Sequence, residues 1–323
     1  MNKTLGKTNI KVSPIGLGCM NLSHAYGSAI PEKDAINFIQ KSYNMGYTFF
    51  DTAEVYSGET TTGEKSNNEE ILGKALSDIR EDVVIATKFG VKHKGKYLEM
   101  DSKKETIRKS IEGSLKRLKT DYIDIYYQHR IDPKVEPETV ASVMQDLKDE
   151  DKIKAWGISE ANPEYLKRAN EIFSVTAIEN RYSMLARHHE SLFSLCEKLN
   201  ISFIAFSPIA NGFLSGIFNK NSTFEDKDFR NDMPQYTVEG FEAAKELFNL
   251  LNKYCEDKNA TMSQISLAWM MCKKDYIIPI PGTTKIENMI SNFEASNIIL
   301  NKKEIKEIDI LLDKLDIPVF GGH

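Results

Sequence analysis

Short apolar β-like runs alternate with longer amphipathic segments almost from one end of the chain to the other, and this order limits the folds open to it more than any other feature. The runs are Ile15–Gly18, Tyr47–Asp51, Val83–Lys88, Tyr122–Gln128, Ile153–Ile158, Val175–Glu179, Phe203–Ser207 and Ile277–Ile280. Between and after them lie stretches of helical periodicity: Glu32–Met45, Asn67–Asp78, Lys103–Lys119, Pro137–Glu150, Asn162–Ile172, His189–Leu199, Glu239–Lys258 with Met262–Cys272, Ile286–Ala295 and Lys303–Leu315. Asn162 followed by Pro163 is a helix start, a cap and then a proline in the first turn. Eight strands each followed by a helix predict a parallel (β/α)8 barrel, an α/β fold of TIM-barrel type, rather than a doubly wound sheet. Lys3–Ser13 reads as a hairpin capping the far end, with Gly6-Lys7-Thr8 as its turn. Barrels of this size often form one domain, so the expectation is a single barrel over residues 1–323.

A barrel gathers the C-terminal ends of its strands at one mouth, where chemistry is placed. The second run, Phe49-Phe50-Asp51, stops at an acid that would be costly to bury without a cationic partner, and Tyr56 follows on a loop. Lys88 ends the third run and His129 follows the fourth; Glu179 and Ser207 end the sixth and seventh. Taken singly, each has an ordinary structural explanation, as a turn residue, a solvated charge or a satisfied polar group. An acid, a lysine and a histidine on successive strand ends, with a tyrosine beside them, instead compose a proton-delivery site. A nearby ammonium stabilises a phenolate and makes a phenol of ordinary pKa about 10 a better acid. Lys88 is assigned that effect on Tyr56, Asp51 the task of holding Lys88, and His129 that of polarising a carbonyl oxygen through a neutral N–H. Such a site suits a substrate that gains a proton on oxygen and a hydride on carbon.

Several ordered stretches carry a more specific likeness. They are Gly16-Leu17-Gly18-Cys19-Met20; Phe50-Asp51-Thr52-Ala53-Glu54-Val55-Tyr56 with Asn68-Glu69-Glu70-Ile71-Leu72-Gly73-Lys74; Thr87-Lys88-Phe89-Gly90; and Tyr122-Ile123-Asp124 leading to His129. Later come Ala155-Trp156-Gly157-Ile158-Ser159, Asn180-Arg181-Tyr182-Ser183, Phe206-Ser207-Pro208 and Ile280-Pro281-Gly282-Thr283. Over nearly its whole length the chain resembles the aldo-keto reductase superfamily. The resemblance implies an NADPH-dependent carbonyl reductase, reversible toward alcohol oxidation, with Asp51, Tyr56, Lys88 and His129 in the roles above. It also implies cofactor contacts at Gly18, Cys19, Met20, Asp51, Ser159 and Glu179, with the last two on the nicotinamide carboxamide. Phe206 would stack on the nicotinamide; Ser207, Pro208, Leu214 and Gly216 would follow the pyrophosphate and ribose; Gly282, Thr283, Thr284, Lys285 and Asn292 would hold the adenosine 2′-phosphate end.

Two positions depart from the family pattern. Glu179 stands where glutamine is usual, and a carboxylate cannot donate to the carboxamide oxygen, although it accepts from the amide. Asn288 stands where many NADPH-dependent members place an arginine, so NADPH is the expected cofactor and NADH is admitted beside it. Substrate contacts are assigned to Asn21 and Tyr26 after the first strand, to Phe89 beside Lys88, and to the Phe213–Met233 loop.

Other function classes fit less well. Net charge is −5, with 41% hydrophobic and 28% charged residues, which argues against a nucleic-acid partner. No apolar run is long enough to span a bilayer and the N-terminus lacks the apolar core of a signal peptide, so the expected location is cytoplasmic. Four cysteines without metal-ligand spacing indicate neither zinc nor disulfides. The adjacent His188 and His189 are set aside as metal ligands because helical neighbours do not share a face. A nucleotide-binding regulatory subunit on the same scaffold is the alternative. A barrel glycosidase is the third reading, disfavoured because Lys88 already accounts for Asp51. The chain carries no interface signal, so its oligomeric state is left open.

Overall fold

The computed structural model describes residues 2–94, 97–225 and 228–319. Its centre is an eight-stranded parallel sheet in simple sequential order. The strands are β1 (Leu17–Gly18), β2 (Phe49–Asp51), β3 (Val84–Phe89), β4 (Ile123–Gln128), β5 (Ile153–Ser159), β6 (Ala177–Arg181), β7 (Ser202–Phe206) and β8 (Ile277–Pro279). Backbone bonds from Gly16 N to Pro279 O and from Gly18 N to Pro281 O join the first strand to the last and close the sheet into a barrel. The (β/α)8 expectation therefore holds. Helices α1 (Glu32–Met45), α2 (Asn68–Leu76), α3 (Lys104–Leu118), α4 (Pro137–Asp149) and α5 (Pro163–Ile172) follow the first five strands. Asn162 caps α5 by accepting from Tyr165 N at 3.0 Å, and Pro163 sits in the first turn where its missing N–H costs nothing. Next come α6 (Phe193–Leu199), α7 (Val238–Ala243), α8 (Lys245–Lys258), α9 (Met262–Lys273), α10 (Ile286–Glu294) and α11 (Lys302–Leu312). The long helical stretch ahead of α9 is thus two helices that meet at Ala244, and the one at His189 opens as a 3-10 turn, His188–Leu192.

Side chains on a strand alternate between faces. Phe49, Val84, Ala86, Ile125, Tyr127, Ala177, Ile204 and Ile278 form the inner core, while Phe50, Ile85, Tyr126, Ile178 and Phe203 belong to the larger layer between barrel and helices. Leu5 and Val12, from the antiparallel pair Lys3–Thr4 and Lys11–Val12, are fully buried members of the inner core, so the N-terminal hairpin plugs the barrel floor as expected. Two further hairpins flank the mouth, Ser57–Glu59 with Lys65–Asn67 and Val91–Lys94 with Tyr97–Met100. Neither has the apolar alternation that marks a strand in sequence.

The inner layer is tight where β5 passes β4 and β6. A β-carbon on Gly157 would lie 2.3 Å from Tyr127 Cε1 and 2.4 Å from Ala177 O. The second of these is backbone and cannot swing aside. Gly157→Ala is therefore expected to destabilise the protein by about 1–3 kcal/mol, read as a lower denaturant midpoint. An unchanged midpoint would mean that β5 can shift outward freely.

Candidate active site

Strand parity decides which side chains reach the mouth from inside. Because Phe49, Ala86, Tyr127, Ala177 and Ile204 point inward, so do Asp51, Lys88, His129, Glu179 and Phe206, each two residues further along its chain or strand. The structure brings Asp51 and Glu179 together around the Lys88 ammonium, with His129 beside the Tyr56 ring. Lys88 is fully buried and donates to Asp51 Oδ1 at 2.6 Å and to Thr52 O at 2.8 Å. Its third neighbour is Glu179 Oε1 at 3.3 Å. Asp51 thus has the cation that its burial demanded, and a second carboxylate shares it. Burial pushes both carboxyls above the usual range, Glu179 to about 8, with the Asp51 charge adding to the shift of Glu179. Burial depresses Lys88, but the two carboxylates more than reverse this and hold it well above the usual lysine value.

Tyr56 lies over this cluster, its ring centroid 5.2 Å from Lys88 Nζ. The loop that carries it is fastened through its main chain: Asn68 N and Ser23 Oγ donate to Tyr56 O at 3.0 and 3.3 Å. Asn68 is buried and also donates to Cys19 O and Ser23 Oγ while accepting from Thr52 Oγ1, which ties the loops after β1 and β2 together. His129 meets the Tyr56 ring edge to face at 5.8 Å. Burial and the neighbouring Arg130 and Lys88 charges push the imidazole well below its ordinary pKa, so it is neutral. Tyr56 itself departs from expectation. Burial raises the phenol to about 12, and the Lys88 pull in the opposite direction only moderates this.

The remaining expected residues fall into three groups. Ser159 is buried on β5 and accepts from Arg130 Nη1 at 3.1 Å, while the half-buried Phe206 ring has Arg181 and Arg130 guanidiniums 5.6 and 6.0 Å from its centroid. After β7 the backbone runs through left-handed conformations at Ser207, Ala210, Asn211 and Gly212, then again at Gly216. For the non-glycine residues this is a strained path, of the kind that collects at ligand-binding loops. Pro208 and Leu214 are buried beneath it. Asn211 reaches across to Tyr26 Oη at 3.0 Å, and Tyr26 pairs with Asp228 in an isolated bridge, so the loops after β1 and β7 meet over the mouth.

Where β1 passes the chain after β8, a β-carbon on Gly282 would lie 3.0 Å from Gly18 O and 2.2 Å from Asn21 Oδ1. The N-terminus of α10 there has no side-chain cap. Thr283 Oγ1 instead accepts from Lys285 N, and Thr284, Lys285 and Asn288 are exposed around it, with Asn292 buried one turn on. An uncapped helix start with a hydroxyl and an ammonium suits a phosphate.

Two expected contacts are not at the mouth. Phe89 is fully buried in the outer layer against Tyr126, because it is adjacent to inward-facing Lys88 and so points the opposite way. Cys19 is likewise fully buried in that layer with its thiol pKa pushed up, and only its backbone joins the site. Arg130, Arg181, Asn211 and His24, stacked on Tyr56 at 5.8 Å, were not singled out from sequence. The Asn211-Gly212 pair after a proline was the available signal for the turn.

The His188 and His189 rings do approach, with centroids 4.0 Å apart, and Glu160 joins them. Helical spacing therefore does not keep the two rings apart at the start of the 3-10 turn His188–Leu192. The hydrogen bond at His189 Nδ1 nonetheless tells against an ion. Asn180 exchanges hydrogen bonds with both Ala161 N and Ala161 O, which fixes its amide, and Nδ2 then also donates to His189 Nδ1 at 3.0 Å. The imidazole proton therefore sits on Nε2, facing Glu160 at 3.4 Å, where a metal would need a lone pair. Burial favours a neutral Glu160, but the His189 ring and the Arg181 N–H outweigh it and bring the carboxyl to about 2.

Comparison with known proteins places this geometry. A model of the Aldo/keto reductase family matches residues 14–313. The chain is 35% identical over 310 residues to probable aldo-keto reductase 1 from Glycine max, covering 94% of this chain and 86% of that one. Among solved structures it is similar to the holo form of an aldo-keto reductase from Bacillus halodurans, with 26% identity, a TM-score of 0.77 and coverage of 100% and 98%. It also shares the fold of a glycerol dehydrogenase from Gluconobacter oxydans, at 24% identity with a TM-score of 0.87 and coverage of 100% and 98%. This chain belongs to the aldo-keto reductase family and is an NAD(P)H-dependent oxidoreductase.

Proposed function

We propose that the protein reduces small to medium aldehydes or ketones with NADPH and that Tyr56 delivers the proton to the carbonyl oxygen. The observation that carries this reading is the convergence of Tyr56, Lys88, Asp51 and neutral His129 at one mouth. When bound, the nicotinamide supplies a hydride from its C4. His129 positions and polarises the carbonyl oxygen through its N–H. Tyr56 donates its proton to that oxygen, and the Lys88 ammonium offsets the negative charge left on the phenol. Asp51 keeps Lys88 charged and in place. A phenol held near 12 in the free protein retains its proton across the neutral range, as a donor must.

Three features support this cofactor reading: a flat aromatic face at Phe206, a close passage of backbone at Gly18 and Gly282, and an uncapped helix start at α10. Ser159 and Glu179 are assigned to the carboxamide, Ser207, Pro208, Leu214 and Gly216 to the pyrophosphate and ribose, and Thr283, Thr284, Lys285 and Asn292 to the 2′-phosphate end. Asn21 and Tyr26, at the rim, are assigned to substrate.

Oxidation of NADPH and NADH measured in parallel over a panel of carbonyls tests the reading. Turnover of aldehydes or ketones supports it; binding of NADPH with no turnover across the panel would instead support a nucleotide-sensing role. Asn288 leaves the 2′-phosphate with Lys285 as its cationic contact. Asn288→Arg is therefore expected to raise the NADPH over NADH preference in kcat/KM by about tenfold, the worth of one added charge-assisted hydrogen bond. An unchanged ratio would place the phosphate away from position 288.

A further inference from the structure

An ammonium has three N–H donors; two of those on Lys88 are hydrogen-bonded to Asp51 and Thr52 O, and Glu179 Oε1 lies 3.3 Å from the same nitrogen as an ion pair that draws the third. None is hydrogen-bonded to the Tyr56 hydroxyl, although the Tyr56 ring lies over the same nitrogen. Two of the three acceptors are fixed: Thr52 O is main chain, and Asp51 holds the shortest contact at 2.6 Å. Glu179, at 3.3 Å, is the loosest of the three and the one able to release its claim. Its Oε2 is buried without a hydrogen-bond partner, as is Asp51 Oδ2, so the cluster has two carboxyl groups, one cation and an unsatisfied oxygen on each acid. One proton on that pair of carboxyls relieves both deficits.

We propose that Glu179 competes with the Tyr56 hydroxyl for the third N–H of Lys88, so that ionised Glu179 slows proton delivery in carbonyl reduction and protonated Glu179 permits it. This rests on the reading of Tyr56 as the proton donor. In the permitted state the neutral acid no longer attracts the ammonium, and the freed N–H turns to Tyr56 Oη. As the carbonyl carbon takes the hydride, the O–H bond of Tyr56 breaks and its proton forms the new O–H of the alcohol; the phenolate left behind is held by Lys88. In the slowed state the cluster already bears a net negative charge before the step begins, and a phenolate would add another in the same buried space.

The groups facing Glu179 are consistent with a single titrating site. Asp51 on β2 and Lys88 on β3 are its ionised neighbours, with Tyr56 above. From β4 come Tyr127, whose phenol burial holds far above the usual value, then neutral His129 and the Arg130 guanidinium. Its register partners, Ser159 on β5 and Ile204 on β7, do not titrate. Burial and the Asp51 charge bring Glu179 to about 8, which sets the window in which the switch operates. Asp51 and Glu179 titrate as a pair, and the proton is assigned to Glu179 because Asp51 keeps the shorter ion pair.

The test is the pH dependence of kcat for carbonyl reduction at saturating NADPH, compared between the wild type and Glu179→Gln, an amide of the same shape that cannot ionise. The ratio of variant to wild-type kcat is expected to rise by about tenfold per pH unit above the transition, the slope of one lost proton. A ratio that stays flat over the whole range overturns the proposal and leaves Glu179 with its cofactor assignment alone. A second readout needs no variant. The infrared carbonyl stretch of a protonated carboxylic acid in the wild-type holoenzyme should disappear with the same midpoint as the fall in kcat. The absence of such a band, or a midpoint that does not track kcat, overturns it equally. Tyr56→Phe separates the two levels. Full turnover in that variant removes the underlying mechanism, whereas an inactive Tyr56→Phe with a flat Glu179→Gln ratio removes only the competition.

Discussion

Tyr56→Phe is expected to lower kcat for carbonyl reduction by about a thousandfold, within the range for a lost general acid, with cofactor affinity nearly unchanged. The hydroxyl can be removed cleanly because it has no part in holding the loop. Asn68 N and Ser23 Oγ bind Tyr56 through its carbonyl oxygen, and the ring packs on His24 and His129 by its faces and edges. Phenylalanine keeps every one of those contacts. Steady-state kinetics together with fluorescence quenching by NADPH check the two halves of this result. A variant that still turns over at the wild-type rate would rule Tyr56 out as the acid.

Removing the cation beneath the tyrosine has a different signature. Lys88→Met leaves Asp51 and Glu179 buried, at 3% exposure each, with no ammonium between them. Breaking a buried ion pair from one side costs about 3–5 kcal/mol. That cost lies in the ionised form of the acids, so it should shrink when they are protonated. Without Lys88 both carboxyls move further up in pKa. Folded protein then holds more protons than the unfolded chain, and stability falls as pH rises. The denaturant midpoint of Lys88→Met is therefore expected to lie well below wild type at pH 8 and much closer to it at pH 5. A deficit of equal size at both pH values would mean that lost packing, rather than unpaired charge, sets the cost.

Much of this arrangement could be read from the chain because it follows from two regular rules. Strand alternation with helices fixes the barrel, and residues that end strands converge at its mouth; Asp51, Lys88 and His129 needed nothing more. Asp51 also announced its partner, since a carboxylate after Phe49-Phe50 has to meet a cation. What escaped depended on direction and distance across the barrel. Phe89 was assigned by adjacency to Lys88, yet adjacency on a strand means the opposite face. Glu179 was read against a cofactor alone, because no sequence rule states that β6 carries it to the ammonium already claimed by β2. The balance on Tyr56 was misjudged for a related reason: Lys88 does pull the phenol down, but burial of the ring, which no local pattern announces, outweighs it. The polar hairpin Ser57–Glu59 with Lys65–Asn67 is held by its antiparallel ladder and lacks any alternating pattern.

The plug at the barrel floor alters how the chain should be divided. The match to the family model begins at residue 14, yet Leu5 and Val12 lie before it and are completely enclosed with Phe49, Val84, Ile125 and Ile204. Gly6 N also donates to Ser202 Oγ, and Lys3 Nζ to Ile277 O, which pins the hairpin to the undersides of β7 and β8. Cutting the gene at residue 14 would thus unstopper the barrel from below and let water reach the underside of the layer that carries Asp51, Lys88 and Glu179. The family-model match and the architecture start at different residues here, and an expression boundary should follow the second.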